Sequence, residues 1–102
     1  MLTVTPNLQI FVYVPAMDMR KGFDGLSGVI RGEMQSDPTN GSMYLFVNKR
    51  RDRLKILCFD GGGYWLYYRL LEVGTFEAFA TSDTSRPLQL DSTQLAMLLS
   101  GV

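Results

Sequence analysis

Between two strand-like segments, Arg53 to Phe59 and Tyr64 to Leu71, stands Asp60-Gly61-Gly62-Gly63. So short and glycine-rich a link leaves room only for a tight reversal, which forces its flanks into an antiparallel hairpin. Pairing Phe59 with Tyr64 across that turn sets Lys55 opposite Tyr68 and Arg53 opposite Leu70. The other face then carries Leu54, Ile56 and Cys58 with Trp65, Tyr67 and Arg69. Both faces hold large apolar groups, so alternation does not say which one meets a helix. Tyr44 to Val47 reads as a further strand, joined to the hairpin by a basic turn over Asn48 to Asp52, and completes a three-stranded meander.

Upstream, Leu8 to Val14 is rich in β-branched and aromatic residues and is closed by Pro15, as expected of a first strand. A helix is expected from about Asp18, with that aspartate as N-cap. Phe23, Leu26, Ile30 and Met34 form its apolar stripe. Gly25, Gly28 and Gly32 fall on the opposite side. A smooth glycine face admits close approach by a backbone or a phosphate; we read it instead as a poor helix former held by packing. Asp37-Pro38-Thr39-Asn40-Gly41 ends the helix. Phe76 and Phe79 make a short strand or anchor a loop, and Thr81 to Ser85 is polar. Asp91 and Gln94 have capping-box spacing and open a last helix with Leu95, Leu98 and Leu99 on one stripe. The expected fold is α+β over one domain, residues 1–102: a mostly antiparallel sheet, the meander plus an N-terminal strand, and two helices.

The 102 residues suit a single core, and 46% hydrophobic content is enough to build one. With one cysteine, Cys58, and no histidine, neither an internal disulfide nor a Cys/His zinc site is available. We see no signal peptide and no apolar run of spanning length, so the expectation is a cytoplasmic protein with no membrane partner. The usual catalytic triads need a histidine. Asp18, Asp24, Asp52 and Asp60 have capping, turn or solvent-facing explanations that compete with magnesium binding. Gly61-Gly62-Gly63 links strands, whereas a phosphate-binding loop leads into a helix. Cys58 lies between Leu57 and Phe59 and reads as core. The reading is a non-enzyme with no cofactor, no metal and no small-molecule substrate.

Charge distribution says more than its total. Ten cations balance ten acids, yet Lys49, Arg50, Arg51, Arg53 and Lys55 crowd seven residues against Asp52 alone. A second pair, Arg20 and Lys21, stands where a helix begins; cations there oppose the helix dipole, so fold stability does not recommend them. Both groups suit phosphate contact. Charge alone leaves the 49–55 segment open between a solvated turn and an anion site. The neighbouring Tyr64, Trp65, Tyr67 and Tyr68 suit base stacking if exposed; we read them as core.

Taken together, Asp-Met-Arg-Lys-Gly-Phe-Asp-Gly-Leu at 18–26, the basic stretch at 45–57, the Asp-Gly-Gly-Gly stretch at 60–76 and the C-terminal segment at 94–101 resemble one family. It is the small TnpB-type accessory protein encoded by the second reading frame of IS66-type bacterial insertion sequences. Asp18, Arg20, Lys21, Gly22, Phe23 and Gly25 match its first motif, and Arg50, Arg53, Lys55, Asp60 and Gly61 its second. Cys58-Phe59 replaces a frequent tryptophan, Glu77-Ala78 interrupts a typical Phe-Trp-Pro segment, and the chain stops short of the usual tail. The resemblance implies an accessory role in transposition beside a separate DDE transposase; the similarly labelled RNA-guided nucleases are unrelated. It implies contact with insertion-sequence ends, the transposase, or both. The resulting expectation is DNA binding through Arg20, Lys21, Lys49, Arg50, Arg51, Arg53 and Lys55. The alternative is a module that docks onto the transposase without touching DNA.

Overall fold

Two apolar layers, one on each face of a five-stranded sheet, organise the computed structural model, which describes residues 8–79 and 86–100. The elements are β1 (Ile10–Tyr13), α1 (Phe23–Gly32), β2 (Met43–Val47), β3 (Arg53–Asp60), β4 (Gly63–Leu70), β5 (Leu88–Leu90) and α2 (Ser92–Ser100). The sheet order is β4-β3-β2-β1-β5. Only β1 and β2 run parallel; α1 lies between them in the chain, since a parallel pair needs a long connection. The α+β class agrees with the sequence, with one strand more than expected. That strand, β5, is three residues long and pairs antiparallel with β1.

Alternation along the inner strands sorts side chains between the layers. All five residues of β2 are buried. Met43, Leu45 and Val47 join Leu54, Ile56 and Cys58 against Leu95 and Leu98 of α2. Tyr44, Phe46 and Leu57 face Leu26, Val29 and Ile30 of α1. The hairpin has the register its turn dictates, with Lys55 opposite Tyr68 and Phe59 opposite Tyr64. Gly61 and Gly62 both take positive φ, which the reversal requires. The face opposite Cys58 is therefore the one that meets α1. Burial pushes the Cys58 thiol pKa up, with Asp60 adding to the effect.

The first helix starts later than expected. Its N-cap is Gly22, with no side-chain cap, because Asp18 is engaged elsewhere. It also ends sooner, at Gly32. Met34 stays buried beyond it, and Gln35 turns the chain with φ of 50°. Phe23 is largely exposed, off the apolar stripe, with its ring 6.5 Å from that of Tyr64. The Tyr13 hydroxyl donates to Glu33 at 2.7 Å and ties β1 to the end of α1; burial, then Glu33, push its pKa up to about 12. At α2 the capping box is formed: Gln94 N–H donates to Asp91 Oδ1 at 2.7 Å and Asp91 N–H to Gln94 Oε1 at 2.9 Å. Phe76, 1% exposed, is a loop anchor and not a strand residue. The polar run at 81–85 lies outside the described residues.

A β-carbon on Gly28 or Gly32 meets nothing within 4 Å, so that helix face is open. Gly28→Ala is expected to raise stability by about 0.5–1 kcal/mol through helix propensity, seen as a higher urea midpoint with unchanged slope.

Candidate nucleic-acid interface

The turn between β2 and β3 is built around Asn48. Its Oδ1 accepts from the N–H groups of Asp52 (3.1 Å) and Arg53 (3.0 Å), while Nδ2 donates to Asp52 Oδ1 at 2.8 Å. Arg51 completes the turn with φ of 56°. An asparagine at the head of a turn closes it through local side-chain bonds, and that signal was available in the sequence. The bond from Asn48 lowers the Asp52 pKa, so this carboxylate stays charged beneath the cations. Lys49, Arg50 and Arg51 are left exposed at the tip. Arg53, also exposed, donates from Nη1 to the Tyr68 hydroxyl at 2.8 Å.

Lys55 differs from its neighbours. It is 5% exposed, and its Nζ donates to the carbonyls of Met19 (2.6 Å) and Lys21 (2.8 Å) while sitting 4.6 Å from the centre of the Tyr68 ring. A buried ammonium demands such partners, and a strand position facing α1 can find them in the loop before that helix. Lys55 is thus a strut inside the protein. It presents no charge to a ligand.

The loop it holds carries the other basic motif. Met17 N–H donates to the Val47 carbonyl at 2.9 Å, which keys the loop to the end of β2. Asp18 Oδ1 accepts from the Arg20 N–H at 2.9 Å, and its carboxylate is gripped by Arg20 Nε and Nη2, the latter at 2.7 Å. The bonds from Arg20 hold Asp18 down at about 2. The pair is solvent-exposed and adds little stability; it aims the guanidinium and leaves its other N–H groups free.

Arg20 therefore meets the 49–53 turn. Arg20, Lys49, Arg50 and Arg53 line one open concavity of about 590 Å³, with Tyr68 in its wall and Asp18 as its acid. Two of the seven expected residues stand apart from it while remaining exposed. Lys21 runs its stem past Gly25. Arg51 borders a different hollow with Val14, Ala16 and Phe79. Four cations against one carboxylate make a site suited to a polyanion.

The aromatic expectation is overturned. Trp65 is 50% exposed, and Tyr67 and Tyr68 also reach solvent, because β4 is an edge strand that the helices cover only in part. Tyr64 alone of the four is half-buried, edge-on to Phe59. Among the described residues no group of three or more acidic, Cys or His side chains is placed to hold a metal. Nor, among the described residues, is any helix long and apolar enough to cross a membrane.

Lys55→Met keeps the stem but strands two carbonyls, and is expected to cost about 2 kcal/mol in urea unfolding. The Asp18 carboxyl is expected to titrate near 2 by NMR in the folded protein and to return toward 3.8 in Arg20→Ala. Because the folded value is the lower one, the pair's contribution is present above pH 3.8 and fades as pH falls through about 2.

Two curated relatives from Sinorhizobium fredii, the uncharacterized proteins y4jC and y4hO, are 29% and 28% identical over the whole chain. The matches cover 86% and 87% of their own lengths. No solved structure matches the chain. The family model described as IS66 Orf2 like protein matches residues 8–102, which takes in both basic segments, the glycine turn and both helices. The chain is a member of the IS66 Orf2-like family of transposition-associated accessory proteins.

Proposed function

We propose that the protein is a non-catalytic, cytoplasmic accessory factor that grips DNA at insertion-sequence ends through the sugar–phosphate backbone. Arg20, Lys49, Arg50 and Arg53 form the contact, flanked by Lys21 and Arg51. The observation that carries this reading is the convergence of two basic segments, some thirty residues apart in sequence, on one open concavity. Four cations held against one carboxylate leave the concavity with an excess of positive charge, which a phosphate backbone neutralises. The contacts are of the positioning kind. Guanidinium and ammonium groups on an open surface orient a duplex without reading its bases, so sequence choice falls to the transposase. Lys55 serves indirectly, by fixing the loop that carries Arg20.

The test is fluorescence anisotropy of the protein with labelled element-end duplex and an unrelated duplex at several salt concentrations. About four phosphate contacts predict a log–log salt slope of about −3 to −4. Arg20→Glu and Arg50→Glu are each expected to weaken binding on the order of tenfold and to flatten that slope by about one or more. Equal losses from these two distant positions establish one surface. Absence of binding at low salt overturns the reading in favour of a module that docks onto the transposase.

A further inference from the structure

We infer that the protein forms a two-fold dimer through the free edge of β4, two copies pairing antiparallel about an axis beside Tyr67. Among the described residues the sheet order leaves β4 at one edge. Edge strands are ordinarily blunted by shortness, proline, bulges or lysine. The eight residues of β4 hold no proline and pair with β3 in unbroken register. Their one ionic side chain, Arg69, is turned back to donate to the Leu99 carbonyl of α2. By contrast β5, at the other edge, has three residues.

The hairpin fixes which backbone groups are free. Asp60 and Gly63 close a two-residue turn, so Gly63 and every second residue after it direct their N–H and C=O at β3. Leu71 N–H continues that set by donating to the Asp52 carbonyl at 2.7 Å. Tyr64, Leu66, Tyr68 and Leu70 therefore aim theirs outward. A two-fold axis perpendicular to the sheet pairs residues of like face. Centred on Tyr67, it sets Leu66 opposite the second copy's Tyr68 and Tyr64 opposite its Leu70, so every outward group finds a partner. On the other face Tyr67 meets its own counterpart. Trp65 there stands opposite the second copy's Arg69, whose guanidinium stays on its own Leu99 carbonyl. No like charges face each other.

The exposed apolar side chains favour this occupant. Trp65 and Tyr67 project on the α2 face, Tyr68 and Leu70 on the α1 face. A partner laid on one face leaves half of them in water, whereas a strand added at the edge covers both. A second β4 supplies a strand of the same length with matching large groups on both faces.

Sedimentation velocity of the full chain is expected to give twice the chain mass. Tyr67→Lys sets two ammonium groups face to face and is expected to give a monomer with unchanged circular dichroism. In a Cys58→Ala background, Tyr67→Cys is expected to oxidise to a covalent dimer. The opposed Cα atoms lie about 4.5 Å apart in such a pair, within disulfide reach. Leu66→Cys, displaced to about 8 Å from its counterpart, is expected not to. A wild-type monomer at the highest soluble concentration overturns the inference. So does a dimer that survives Tyr67→Lys without crosslinking through Tyr67→Cys, or crosslinking through position 66 in preference to 67.

Discussion

The ammonium of Lys55, sealed beneath the loop before α1, is the contact on which the rest of the site depends. Two carbonyls thirty-odd residues upstream converge on one nitrogen, and the Tyr68 ring closes over it. Few side chains suit the role. An aliphatic residue of equal reach offers no donor, and a guanidinium presents a planar fork in place of a compact point charge. The interaction joins three parts of the molecule: the loop before α1, β3 and β4. It also converts a short-range demand, solvation of one charge, into the placement of Arg20 beside a turn that is remote in sequence.

The sheet supplies the rigid frame. Because β2 is buried on both faces, helices must cover the sheet from two sides, and only its outer strands remain for contact with other molecules. The basic concavity opens at one end of the inner strands, where the β2–β3 turn and the 17–22 loop emerge together. Strand ends hold such loops in place while leaving their side chains in water. Structure and surface are thus divided by position along the strands: apolar alternation through the middle, charge at the end.

Much of this was legible in the sequence, for local reasons. A two-residue glycine turn admits one register, so the pairing of Lys55 with Tyr68 followed from arithmetic. The Asp91–Gln94 box closes within four residues. What escaped were features decided by distant partners. Asp18 looks like an N-cap, but Arg20, two residues on, claims its carboxylate and the helix waits until Phe23. Leu88-Gln89-Leu90 is too short to show alternation and becomes a strand because β1 offers an edge. Lys55 resembles the cations around it, and its burial is decided by the carbonyls of a loop remote in sequence. The aromatics of β4 were read as core because strand composition does not tell an inner strand from an outer one. Only sheet order makes that distinction.

That same sheet order gives the molecule unequal edges, eight residues on one side and three on the other. A sheet open equally on both sides is a monomer for a fibril, since each addition exposes a fresh copy of the edge just covered. Here, back-to-back union of the long edges uses up the adhesive surface and leaves two blunt margins. Growth stops at a closed particle. The brevity of β5 thereby limits stoichiometry as well as finishing a fold, and allows an adhesive β4 to exist without the hazard of runaway polymerisation.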